Sequence, residues 1–449
     1  MTTVVVGAGL SGLICARALH AAGADVRLLE STERSGGVVR TERSAGFLLE
    51  QGPNTVRPTP EILATVADLG LDGEALFSDP RAPRYMALDG RLVRLPASPA
   101  EAVRTPLLTA AGKLRLAVEP FILRRRGDSD ETVEAFFTRR IGAEAASRLV
   151  APFVSGIFAG DPRRLSAAST FPALVRGERE RGSLAAWALR ARSGARKPGG
   201  PPGPRGLLSF REGLETLPRA LAASLGTRLE TGVGVLEIAP GPAGGGWSVR
   251  HSRERLAADR VVLACPAREA AALVAGFAPE AAAALSGIPH PPLAVIHLAW
   301  TKADLKTRLA GFGHLAVPAP GRRILGAVWS SSLFPGRAPE GQQLLTAFAG
   351  GATDPEAAAL SDADLTELAA RELVPLLSAT APPRLLGVRR WARSIPQYET
   401  GHARRMDDLA RAEARWPGLS FLGSYRGGVS VGDVVRGALA EAASRRLRL

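Results

Sequence analysis

Val4, Val5 and Val6 form an unbroken apolar run of β-branched residues, which reads as a strand buried on both faces. The spacing then turns helical through Leu10, Leu13, Ile14, Ala18 and Leu19 until Gly23 stops it, and a second apolar strand closes on Glu30. Gly46–Glu50 reads as a short strand. Thr59 and Pro60 start a helix running to about Leu69, with Thr59 as cap. Residues 84–95 alternate around Asp89-Gly90, a hairpin signature. From Leu107 to Phe153 the pattern is helical. Residues 191–206, rich in glycine, proline and cations without an apolar anchor, read as a linker. Beyond it the spacing predicts a helix over 214–225 and strands over 227–236, 247–251 and 260–265, the last a buried type that rejoins the first sheet. Four strands over 293–300, 313–317, 324–330 and 342–348 follow as an antiparallel sheet, then a helix over 361–377 capped by Ser361 and a strand over 385–392. The chain closes with a strand at 419–423, a glycine-rich turn and a helix over about 433–446.

The first turn carries the clearest chemistry. Gly7, Gly9 and Gly12 have the G-x-G-x-x-G spacing between a strand and a helix, and an acid ends the next strand. Gly7 makes the tight turn, Gly9 admits a pyrophosphate close to the backbone, and Gly12 lets helix and strand pack closely. The helix N-terminus offers free N–H groups, and Glu30 can accept from a ribose hydroxyl. Gly36 and Gly37 allow the backbone to close over the same dinucleotide, with Arg40 placed either for a phosphate or for solvent. The turn at Gly423, Gly427, Gly428 and Gly432 offers a second helix N-terminus to the ligand. A cofactor gripped at both ends of the chain fits FAD better than NAD.

Composition narrows the rest. A chain of 449 residues is too long for one compact core and suggests two or three domains. Cys15 and Cys265 read as separate buried thiols in a reducing compartment. The first strand begins too early to leave room for a signal peptide, and no apolar run is long enough to cross a bilayer. The formal charge of +14 comes almost wholly from arginine, lysine occurring only at Lys113, Lys197, Lys302 and Lys306. Coding bias and attraction to anionic substrates or lipid both fit that excess. Nucleic acid does not, because aromatics are scarce and do not interleave with the cations. Between Leu107 and Arg126, apolar residues flanked by Lys113, Arg115 and Arg124-Arg125-Arg126 fit either a helix lying in a membrane interface or ordinary core packing. The six histidines and two cysteines show no metal-ligand spacing, and no nucleophile motif is present, so a cofactor must carry the chemistry.

Several further stretches carry a resemblance. The opening motif with Glu30, Gly36, Gly37 and Thr41 resembles the FAD-dependent amine oxidase superfamily. Others, in order along the whole chain, resemble its protoporphyrinogen/coproporphyrinogen oxidase family: Glu50-Gln-Gly-Pro-Asn54, Arg84-Tyr85, the stretches over 151–162 and 165–172, Phe210-Arg-Glu-Gly-Leu214, Gly311-Phe-Gly313, Ile395-Pro-Gln-Tyr398 and Gly423 to Asp433. The resemblance implies an α/β plus α+β fold with three parts. A discontinuous Rossmann-like FAD-binding domain takes 1–83, 207–290 and 385–449, a helical insertion 84–200 rests on the membrane surface in many relatives, and an antiparallel-sheet substrate domain takes 291–384. It implies cofactor contacts at Gly7, Gly9, Leu10, Ser11, Gly12, Glu30, Ser31, Gly36, Gly37, Arg40, Gly52, Pro53 and Asn54. Further contacts are implied at Val233, Ala264, Gly423, Val429, Ser430, Val431 and Asp433.

The substrate it implies is a porphyrinogen, oxidised to the porphyrin by six electrons in three rounds, with oxygen, or a quinone, as acceptor. Arg84 would meet a propionate and Gly156 the pyrrole nitrogens, while Leu315, Val328 and Trp329 would wall the slot; no side chain is assigned as a catalytic base and no metal is implied. A cytoplasmic protein, peripheral on the inner face of the membrane, is expected, and a homodimer is left open. The alternatives are an oxidase of the same superfamily acting on an amine or a carotenoid, and a flavin-free binding module of the same fold.

Overall fold

The computed structural model describes residues 1–125, 127, 129–194, 206–241, 245–306 and 308–446; most of the expected linker, 195–205, lies outside the described residues. Thr2–Val6 is the central strand of a five-stranded parallel sheet. Its order is Leu419–Phe421, Arg260–Leu263, Thr2–Val6, Asp25–Leu29, Leu229–Glu230. Pleating sends Val5 to one face, where the helices Leu10–Ala21, Thr216–Leu225 and Val431–Arg446 cover it. Val4 and Val6 point to the other face, covered by the meander Val235–Pro240, Trp247–His251, Arg255–Ala258 and the helices Ala267–Val274, Pro279–Ser286 and His402–Arg415. Leu13 and Leu28 are fully buried in the first of these cores, and side chains of that kind contribute roughly 1.5–3 kcal/mol each.

The second sheet has seven strands in the order Arg384–Trp391, Leu293–Thr301, Gln342–Gly350, Ile324–Val328, Gly313–Ala316, Arg84–Leu88, Arg91–Arg94. Every pairing is antiparallel except that of Gly313–Ala316 with Arg84–Leu88. The helix Asp362–Leu377 packs on one face through Leu365, Leu368 and Leu373, and its start is the expected box: the Ser361 hydroxyl accepts from Asp364 N at 3.1 Å. Three strands stand differently from their expected assignment. Arg84–Leu88 and its hairpin partner Arg91–Arg94, expected in the helical insertion, and Arg384–Trp391, expected in the FAD-binding part, all belong to this sheet. The reason is long-range pairing: Arg84–Leu88 lies against Gly313–Ala316, and Arg384–Trp391 completes an edge beside Leu293–Thr301.

The helices between residues 99 and 194 make a third layer around Val133, Phe136, Val154 and Leu165. At its centre Arg140 is fully buried and paired with Glu119 and Glu178, while Glu119 also accepts from Ser183 Oγ at 2.8 Å and Leu184 N at 2.9 Å. The two open readings of the segment after Leu107 divide here. Leu107 packs with Met86 and Val317, whereas Leu114, Phe121 and Leu123 face solvent.

Candidate active site

The turn after the central strand is built by close approach. Gly7 takes φ +100°, and a Cβ on Gly12 would collide with the Gly7 carbonyl oxygen. No side chain caps the helix Leu10–Ala21 at Gly9, so its first N–H groups stay open to an anion. A Cβ on Gly9 would meet nothing, so the backbone there opens onto the cavity. Glu30 holds the turn together: Oε2 accepts from Ala8 N at 2.8 Å, and Oε1 from Thr32 N at 3.0 Å and Thr32 Oγ1 at 2.8 Å.

The second glycine loop hangs on Arg34, whose guanidinium donates to the carbonyls of Gly37 (2.5 Å) and Val39 (3.2 Å) and to Glu215 (3.2 Å). Glu215 accepts from Thr41 N at 2.8 Å, and Thr41 Oγ1 donates to Glu50 at 2.8 Å. Burial pushes the Glu50 carboxyl up to about 7, against Leu214 N–H, the Thr41 hydroxyl and Arg337, which favour its charged form. At the far end, Tyr398 donates its hydroxyl proton to Ser424 O at 2.6 Å and accepts from Gly428 N at 3.0 Å. That pair of bonds pins the C-terminal turn. Asp433 and Ser430 then cap the last helix reciprocally, at 2.6 and 3.1 Å.

One cavity of about 2940 Å³ joins these pieces to the seven-stranded sheet and the insertion. It far exceeds the roughly 300–1,000 Å³ of a single small-molecule pocket, so it can seat a dinucleotide and a second large molecule side by side. Every expected cofactor position except Gly12 opens onto it, and Gly12 lies behind the turn it permits. Arg84, Gly156, Leu315 and Val328 line its other end. Leu315 already fills the space a Cβ on Gly156 would need, so the two walls touch.

Trp329 is a correction. Its ring is buried, stacked on Tyr85 at 5.2 Å, and packed in the core under Asp362–Leu377 rather than in the cavity. Among the aromatics that do line the cavity is Phe348, opposite Gly326 and Val295 in neighbouring strands, a position that strand alternation alone does not single out. Also unanticipated is His402, stacked on Tyr398 at 4.0 Å at the cavity wall; burial lowers its imidazole to about 4 and keeps it neutral. Arg389 lies over Trp391 at 4.3 Å, and burial together with Arg40 and Arg34 pulls its guanidinium below the usual value. The Trp391 indole in turn donates to Gln51 O at 2.8 Å, tying the sheet to the first domain.

Comparison with known proteins accounts for this geometry. Residues 10–444 match the model of the flavin containing amine oxidoreductases. The chain belongs to that family. Protoporphyrinogen oxidase of Nicotiana tabacum chloroplasts is 34% identical over 97% of this chain and 83% of its own. Coproporphyrinogen III oxidase of Bacillus subtilis is 27% identical over 96% of this chain and 95% of its own. In fold, the chain matches the crystal structure of an Exiguobacterium sp. 255-15 protein whose assignment as a protoporphyrinogen oxidase is provisional, with a TM-score of 0.82 and 24% identity over 100% of this chain and 99% of that one. The cofactor is FAD, and the open helix N-terminus, the bare Gly9 backbone and the Glu30 carboxylate fit its dinucleotide half.

Two substitutions test the crevice. Gly12→Ala forces the helix off the turn and is expected to lower bound flavin at least several-fold, read from the absorbance near 450 nm against protein. Because the folded Glu50 carboxyl titrates above its unfolded value, native protein holds the extra proton between about pH 4.5 and 7, and stability falls as pH rises through that window. Glu50→Gln is expected to flatten this part of the Tm-against-pH curve.

Proposed function

We propose that the protein oxidises a porphyrinogen to the porphyrin, with FAD taking the electrons and oxygen as the acceptor. The observation that carries the reading is the continuity of the cavity. One volume runs from the dinucleotide turn to an apolar slot between Gly156, Leu315, Val328 and Phe348, with Arg84 at its edge. A porphyrinogen is an apolar macrocycle with anionic arms and asks for that combination. The relatives that match nearly the whole chain are named for this reaction on protoporphyrinogen or coproporphyrinogen. Bound FAD supplies two-electron hydride acceptance and its return to oxygen. Three rounds remove six electrons and six protons and give three hydrogen peroxide molecules.

The protein's own part is placement and exclusion of water. Leu315 and Val328, on one face of neighbouring strands, form an apolar wall for the ring, and Arg84, stacked over Phe312 at 5.5 Å, offers a guanidinium to a carboxylate. The domain division implied by the resemblance is kept, with the strands at 84–94 and 384–391 counted with the substrate sheet. An amine substrate fits less well, because the rings that an aromatic cage would need are already engaged: Tyr398 stacks on His402, Tyr85 on Trp329, and Tyr425 packs in the core.

We also place the insertion on an anionic lipid surface. Val103, Leu114, Phe121 and Leu123 are all more than two-thirds exposed, with Arg104, Arg124 and Arg125 among them. No helix among the described residues is long and apolar enough to cross a membrane.

Anaerobic reduction of the flavin by protoporphyrinogen and coproporphyrinogen, followed by peroxide release on admitting air, tests the reaction; an unreduced flavin with both refutes it. Arg84→Met is expected to raise KM roughly 10-fold with flavin content unchanged. Co-sedimentation with vesicles containing anionic lipid is expected for the wild type and lost in Phe121→Ser/Leu123→Ser.

A further inference from the structure

The cavity-lining cations divide by what already holds them. Arg34 is spent on Glu215 and loop carbonyls, Arg390 on Asp362, and Arg393 on Glu269. Arg40 and Arg57 flank Gly37 and Gly52 at the dinucleotide end, Arg268 follows the strand end at Cys265, and Arg389 faces Arg40. At the opposite end of the cavity two cations remain, Arg84 and Lys113, and neither has a carboxylate partner within ion-pair distance among the described residues.

Lys113 is presented there by a fixed helix. Ala110–Ala117 turns Lys113, Leu116 and Ala117, three and four residues apart, onto the cavity. Its start is held by Glu144, which accepts from Thr109 N at 2.9 Å and Thr109 Oγ1 at 2.7 Å, and Glu144 is itself paired with Arg148 at 2.8 Å. Its far end is held by Arg115, which donates to Arg139 O at 2.6 Å and Arg140 O at 3.2 Å. Leu107, just before the helix, packs on Met86 two residues beyond Arg84. A half-buried ammonium is thus fixed at an apolar mouth without an ion-pair partner among the described residues: Glu144, whose charge it feels, is already engaged by Thr109 and Arg148.

We propose that Lys113 binds a second carboxylate arm of the tetrapyrrole, so that Arg84 and Lys113 together fix the macrocycle's rotation in the slot. The proposal rests on reading this cavity as the tetrapyrrole site. A lysine suits the outer arm, because its flexible stem and compact charge follow a carboxylate that swings at the mouth, and any long, flexible cation there serves in much the same way.

The test is fluorescence titration of flavin-loaded protein with protoporphyrin IX and with its dimethyl ester, in the same detergent, beside steady-state kinetics. Lys113→Met is expected to weaken diacid binding and raise KM roughly 5- to 10-fold, to leave ester binding and kcat unchanged, and to recover largely in Lys113→Arg. Equal losses for diacid and ester would mean a packing role and overturn the assignment. So would a Lys113→Met protein indistinguishable from an active wild type. A wild type that reduces its flavin with no porphyrinogen and binds neither porphyrin would instead remove the underlying reading, and this proposal with it.

Discussion

The whole arrangement depends on one long-range ladder, the parallel pairing of Arg260–Leu263 with Thr2–Val6. Parallel strands end on the same edge, so this register sets Ala264 beside Gly7 and, through the next strand, brings Gly423 to the same rim. A ligand crevice at the carboxyl ends follows from that geometry. The glycine turn alone is a local motif; the ladder supplies the opposite wall.

A polar relay then fixes the moving parts. Glu50, Thr41, Glu215 and Arg34 form a continuous chain of hydrogen bonds from the two-stranded ribbon Thr41–Ser44 and Phe47–Glu50 to the carbonyls of the Gly36-Gly37 loop. Trp391 of the seven-stranded sheet and Arg337, in the loop before Gln342–Gly350, reach across to the first domain, Arg337 to Ser209 Oγ at 2.7 Å and Phe210 O at 2.9 Å. The Gly36-Gly37 loop is therefore tied through side chains to the same region that the seven-stranded sheet contacts. Buried polar chains of this kind are worth more satisfied than the sum of their pairs, and removing one member leaves its neighbours unpaired.

Local features were legible in the sequence: the turn at Gly7 to Gly12, the Thr59 and Ser361 caps, and the Asp89-Gly90 hairpin, where both residues adopt positive φ. Their physics is complete within a few residues. Partners far apart in the chain were not. Nothing near Arg84 announces that Gly313–Ala316 will pair with it, so its strand read as part of the insertion. Trp329, expected on the slot wall, faces the core, and Phe348, for which no role was expected, faces the cavity, because a side chain's face depends on register and the register is irregular between Ile324 and Gly326. Lys113 sits among apolar residues and cations that also describe a lipid-facing helix, and only the third dimension shows that its own side turns inward.

The helix Val431–Arg446 lies directly against Leu10–Ala21, so segments far apart in the sequence make adjoining walls of one crevice. Synthesis of the Gly7 turn therefore lays down only one wall of the crevice, and the wall formed by Gly423 to Asp433 is added much later in the chain.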